Sequence, residues 1–200
     1  MKTKSSSQYK TELKKKIIRS AVESFAKYGF DRTRMEDIAS ASGLAKGTLY
    51  LYFKSKQDLF YSISEHNLEE LRDQLSKLFD RKENILINAE RFYDEYQKAS
   101  IVSDTLWFEM IALSTRNPKL RKILSEYQRK IYGVIGDFLK AQIQKGFLRN
   151  DINAENMASG LIALYDGLVL NKFLLQISNS ESEKTWAETI KVIVGAATTR

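Results

Sequence analysis

The side chains best suited to chemistry lie between Arg34 and Lys56. Lys46, Gly47, Thr48, Tyr50 and Tyr52 follow one another along a short helical stretch, Ala45 to Phe53. In it Leu49 and Phe53, one turn apart, take the core side. The other positions are left for an outside partner. A lysine can donate to a guanine edge or to a phosphate, and a threonine can meet a base edge or a thymine methyl group. Gly47 lets the backbone come close to that partner. The hydroxyls of Tyr50 and Tyr52 can reach phosphate. Lys56 opens the following helix, where free amides already favour an anion. Lys10, Lys14, Lys15 and Lys16 are further phosphate candidates.

Little else in the chain offers chemistry. Cysteine is absent and there is one histidine, His66, on the polar side of a helix. Disulfides, thiolate metal sites and cysteine nucleophiles are excluded. No Gly-rich phosphate loop, metal-spaced cluster or nucleophile elbow is present. No enzyme, metal site or cofactor is therefore expected. The competing reading is a helical ligand carrier or a small cytosolic enzyme, without DNA binding.

The charge points the same way as the short helix. Residues 1–60 carry thirteen Lys and Arg against six Asp and Glu, and residues 61–200 carry nineteen of each. The whole excess of +7 thus falls in the first 60 residues. Such segregation favours a polyanion partner for that part, driven by phosphate neutralisation and counterion release.

These residues need helices to hold them. One proline and nine glycines in 200 residues favour long helices. Residues 1–9 read as a basic arm. A first helix runs from Thr11 to Tyr28, ending at Gly29. Thr33 to Glu36 has the form of a capping box for a second, which Gly43 stops. The short helix from Ala45 is third, and Ser55 to Asp58 is a second capping box, opening a long fourth helix. The pair joined at Gly43-Leu44, with Ile38, Leu44 and Leu49 in the wedge and small Ala39 allowing close approach, meets the local requirement of a helix-turn-helix. Beyond it, caps at Asp80 to Glu83, Asn117-Pro118, Asn153 and Ser180 to Glu183 open further helices. The expected class is all-α with about nine helices. A three-helix DNA-binding domain with helix-turn-helix occupies 1–60, and a helical effector-binding and dimerisation domain occupies 61–200. No apolar run approaches a membrane span, and no secretory signal is recognised, so the cytoplasm is expected.

Phe25-Ala26-Lys27-Tyr28-Gly29-Phe30, Thr33, Ile38-Ala39, Ser42-Gly43-Leu44, Lys46-Gly47-Thr48-Leu49-Tyr50 and Tyr52-Phe53-Lys54-Ser55-Lys56 closely resemble the DNA-binding region of TetR-family regulators. The resemblance spans roughly Lys14 to Tyr61. It implies base-edge or adjacent phosphate contacts at Lys46, Gly47, Thr48 and Tyr50, and phosphate contacts at Thr33, Tyr52 and Lys56. Arg34 is added as a neighbouring candidate. Leu51 departs from members with tyrosine there, which puts one phosphate contact in doubt. The resemblance also implies a homodimer on a palindromic double-stranded DNA operator, with repression relieved by a small molecule.

Fourteen of the 22 aromatic residues lie in 61–200. Phe79, Phe92, Tyr96, Trp107, Met110, Tyr127 and Ile131 are candidates to line a pocket for a small hydrophobic effector; the resemblance implies fatty acyl-CoA as one class, and the sparse charge on these helical faces leans the same way. The resemblance implies a dimer interface on the last two long helices, and these carry apolar stripes that allow it. Leu161, Tyr165, Leu168, Trp186, Ile190 and Val194 are the candidate dimer residues, and a role in the intrachain core fits the same stripes.

Overall fold

The computed structural model describes residues 6–78 and 85–198. Nine α-helices and no named strand occur among the described residues: α1 (Ser6–Tyr28), α2 (Met35–Ala41), α3 (Lys46–Tyr52), α4 (Lys56–Leu78), α5 (Ile85–Ala99), α6 (Asp104–Ser114), α7 (Pro118–Gln144), α8 (Ala154–Leu175) and α9 (Asn179–Ala197). The all-α expectation holds. Helix α1 starts at Ser6, so part of the expected arm is helical.

The described residues form two compact units, one drawn from 6–66 and 101–125, the other from 67–78, 85–100 and 126–198. The division falls inside α4 and inside α7. The first unit therefore takes in α6 as well as the first three helices. Its core contains Ile17, Ala21 and Phe25 of α1, Ile38 and Ala39 of α2, Leu49 and Phe53, and Leu59, Phe60 and Ile63 of α4, with Leu106 and Met110 of α6. Phe30 joins it by packing edge-on to Phe60, 6.0 Å between ring centroids.

Chain reversals sit where the glycines allow them. Gly29 and Gly43 adopt φ of +83° and +65°, a region costly for other residues. Gly43 closes the turn between α2 and α3, in which the Leu44 amide donates to the Ala39 carbonyl at 2.9 Å. Several caps fall as expected. The Asn117 side chain accepts from the Leu120 amide ahead of Pro118, the Asn153 side chain accepts from Asn156, and Ser55 accepts from Asp58. The last helix is capped two residues earlier than expected, by Ser178 and Glu181. The expected cap at Asp80 to Glu83 lies outside the described residues.

In the second unit, α5 packs along α9. The Trp186 indole N–H reaches the Ala89 carbonyl at 2.8 Å, fixing the register of the pair. Trp186, Ile190 and Val194 are buried, and Leu168 of α8 is buried too. This corrects their expected place on a partner surface: they fill the protomer's own core. The apolar residues left exposed are Leu170, Phe173, Leu174 and Leu175 on α8, with Val192 and Ile193 on α9. Of the other two candidates, Leu161 packs half-buried on a small cluster around Leu139, Leu148 and Ala158. Tyr165 packs against Tyr93 and Tyr96. One sequence expectation about membranes changes as well: α8 is long and apolar enough, by length and composition, to cross a bilayer.

Candidate nucleic-acid interface

Helix α3 has seven residues, too few to persist alone. It is held by Leu49, fully enclosed, and by Phe53 just after its end. With Leu49 pinned inward, Lys46, Gly47 and Leu51 are exposed, while Thr48, Tyr50 and Tyr52 are half-buried along the flanks. Tyr50 and Tyr52 lay part of their rings on the core cluster, which restricts the directions their hydroxyls can take.

Lys46 is the outward cation of this helix. Its ammonium pairs with the Glu36 carboxylate at 2.6 Å and lies 5.9 Å from the centre of the Tyr50 ring. The Glu36 hydrogen bond raises the Lys46 pKa above the ordinary lysine value, and the same bond lowers that of Glu36. Both groups are exposed, so a phosphate can replace the carboxylate at small cost. Lys10, Lys14, Lys15 and Lys16 are exposed on α1. The Lys16 ammonium lies beside the helix-turn-helix turn, 3.7 Å from where a Cβ on Gly43 would stand.

Two expected phosphate contacts have other work. Thr33 is 1% exposed, and its hydroxyl donates to the Gly29 carbonyl at 2.7 Å and the Ser24 carbonyl at 3.3 Å. It neither caps α2 nor meets solvent, which corrects both expectations. Arg34 stands at the N-cap position instead, exposed, and the Asp37 carboxylate accepts its backbone N–H at 2.8 Å. Lys56 donates to the Phe30 and Asp31 carbonyls at 2.6 and 2.8 Å, with its ammonium 4.8 Å from the centre of the Phe30 ring. Burial lowers its pKa, opposed by the charges of Asp31 and Glu109. Its first task is to tie the start of α4 to the turn after α1. Glu109 of α6 holds the same turn, accepting from the Asp31 amide at 3.4 Å. Sequence reasoning missed Glu109 because no local pattern links it to residues 78 positions away.

The candidate effector residues divide. Met110 is fully buried in the core of the first unit and Trp107 packs on that core. Met110 is thus a packing residue, enclosed by apolar neighbours of that unit. Phe79 lies outside the described residues. Phe92, Tyr96 and Tyr127 come together in the second unit, with Ile131 half-buried one turn along α7 from Tyr127. Phe92 stacks on Tyr96 at 5.6 Å, and Tyr96 packs edge-on to Tyr165 at 5.4 Å. The Tyr96 and Tyr127 hydroxyls lie close enough to act on each other, and Asn67 acts on Tyr127. Burial raises the pKa of both tyrosines, so both stay neutral at physiological pH.

Asp166 faces these tyrosines closely enough for its charge to act on both. Burial alone raises its pKa. It forms no hydrogen bond or ion pair with any described residue. Lys172, further along α8, is turned to Gln97, which in turn donates to the Tyr165 hydroxyl at 2.8 Å.

The arrangement is that of an outward helix on a helix-turn-helix frame, with Lys46 on its outer side and Lys16 beside the turn. Comparison with known proteins agrees. Residues 17–63 match the model of bacterial regulatory proteins of the tetR family, and residues 99–192 match that of the BetI-type transcriptional repressor C-terminal region. The chain is 26% identical over 179 residues to the HTH-type transcriptional regulator YfiR of Bacillus subtilis, covering 86% of this chain and 85% of that protein. It is 25% identical over 156 residues to the fatty acid metabolism regulator protein of the same organism, covering 73% and 77%. A TetR-family regulator from a Rhodococcus species shares the fold, with a TM-score of 0.76 and 20% identity over 92% of this chain and 99% of that one.

Proposed function

Because the chain belongs to the TetR family of DNA-binding transcriptional regulators, we propose that it is a repressor, binding a palindromic operator as a homodimer and released by a small molecule. Residues 1–60 read DNA, and residues 61–200 hold the effector and the dimer face. The observation that carries the reading is the outward side of α3, with Lys46 and Gly47 exposed and Thr48 and Tyr50 half-buried on its flanks around an enclosed Leu49. Arg34 and Tyr52 flank it. Lys56 adds to phosphate binding only with whatever its ammonium has left after two backbone carbonyls.

The dimer face is drawn from the exposed apolar side chains of α8 and α9. Leu170, Phe173, Leu174, Val192 and Ile193 supply it. The apolar character of α8 then reflects burial against a second copy and not in a lipid bilayer, in keeping with a cytoplasmic regulator.

The effector site is placed around Phe92, Tyr96, Tyr127 and Ile131. The relative named for fatty acid metabolism supports an acyl-type ligand, such as fatty acyl-CoA, against the aromatic walls. Asp166 favours a second reading. A carboxylate taken from water is costly unless paired, so a ligand carrying a cationic or hydrogen-bond-donating group meets an existing need there. A long-chain acyl-CoA and an aliphatic quaternary ammonium separate the two by thermal shift. Each is then tested for release of protein from DNA.

Gel-shift titration of the full chain against duplex from the region upstream of its own coding sequence tests the main reading. A specific complex at moderate salt, with two protomers per site, supports it. Failure to shift any genomic duplex at low salt would sink it and return the carrier reading.

A further inference from the structure

We propose that Leu51 reads a thymine methyl group in the major groove, which makes it a specificity-determining residue of the DNA-facing helix. The proposal rests on the DNA-binding reading above. At 100° per residue, Gly47 and Leu51 each lie about 160° around α3 from the enclosed Leu49. They therefore form the crest of the outward side, flanked by Lys46 and Tyr50 on one slope and by Thr48 and Tyr52 on the other. Leu51 is 78% exposed, more than any other large apolar side chain among the described residues. Nothing in the protomer draws apolar surface to that position.

Gly47 points outward in the same way. A Cβ there would meet nothing within 4 Å, and its φ is not in the left-handed region. A glycine inside a helix costs about 1 kcal/mol relative to alanine. No internal contact or backbone angle requires glycine there, and the missing side chain leaves room for a partner to approach the backbone. One turn on, Leu51 then reaches deepest into whatever meets the crest. It can neither donate nor accept a hydrogen bond, so it cannot serve a phosphate. Of the four bases, only thymine offers a methyl group on the major-groove edge. The mixture of Lys46 and Thr48 on the slopes with a leucine at the crest fits a groove floor bearing that methyl, bounded by polar edges and phosphates.

The test starts from duplexes enriched by the full chain out of a randomised library. Each thymine of the enriched half-site is replaced in turn by deoxyuridine, which removes the methyl group and leaves the pairing edge. Wild type is expected to lose about fourfold in affinity per half-site at one or two positions, the worth of one buried methyl group. Leu51→Ala should bind the thymine duplex more weakly and show no further loss on uracil. Leu51→Met, which keeps an apolar tip, should retain the penalty. Should Leu51→Ala bind too weakly to titrate, Leu51→Gln against Leu51→Met gives the same comparison.

Indifference of wild type to uracil at every position overturns the inference. So does an equal uracil penalty in wild type and Leu51→Ala, which would assign the methyl contact to Thr48 or Tyr50. Failure to enrich any sequence is a different result: it removes DNA reading itself, and the role of Leu51 with it.

Discussion

Lys56 shows how a side chain can belong to a binding surface by resemblance and to the frame by geometry. Its ammonium satisfies two carbonyls of the α1–α2 turn. Removing a charged donor from backbone acceptors costs about 1–3 kcal/mol. Lys56→Ala should therefore lower the melting temperature as well as the DNA affinity. A variant as stable as wild type, altered only in the salt dependence of binding, would return Lys56 to the phosphate contacts. Asp166 gives a second test at this scale. Its pKa is raised in the folded protein by burial. The folded state thus holds a proton that the unfolded state releases, and stability falls as pH rises through the range between the two values. Above that range the whole penalty is present. Asp166→Asn should raise the melting temperature near pH 7, and the gain should fade in acid, where both states are protonated. A gain independent of pH, or none, would show that the carboxylate is well solvated.

At the scale of elements, most of the frame is legible in the chain. Apolar spacing and the caps Ser55, Asn117 and Asn153 place their helix starts, because each supplies an acceptor to an amide that the helix leaves open. The second helix shows the limit of that signal. Thr33 and Arg34 are adjacent, and either register gives a turn with an acid three residues on, Glu36 or Asp37. The choice is made by Met35 and Ile38, which must face the core, and that turns Thr33 inward and leaves the acid's part to Asp37. A similar ambiguity affects α9. An apolar stripe says that something will cover it, and Trp186 and Val192 differ in what does. Glu109 was beyond reach because its partners are distant in sequence. It bears on the Gly29 turn, where φ is +83° and a Cβ would stand 2.9 Å from the Glu109 carboxylate. Gly29→Ala should destabilise the first unit by roughly 1–2 kcal/mol through the left-handed backbone alone. The carboxylate is the movable end of a side chain, so Glu109→Ala should restore little of that loss in a double variant. Full restoration, read from denaturant midpoints, would mean that the clash and not the backbone sets the cost.

The whole molecule joins two needs: basic surface around α3, and apolar surface on α8 and α9 that one protomer leaves uncovered. A single reading head of seven residues makes few base contacts, whereas two related by a two-fold axis multiply their affinities on one palindrome. Val192 is the sharpest handle on this coupling. It is 72% exposed, so a charge there costs the isolated protomer little, whereas burying an unpaired carboxylate in a partner interface costs several kcal/mol. Val192→Asp should give a protomer with an unchanged helical spectrum, shifted towards monomer in sedimentation at micromolar concentration. Operator affinity should fall at least tenfold, because assembly of the two heads must then be driven by DNA. The residual binding should depend more steeply on protein concentration, since two monomers must then assemble on each palindrome. A variant that sediments as wild type, with undiminished affinity for the palindrome, would remove α9 from the interface and require that another surface pair the reading heads.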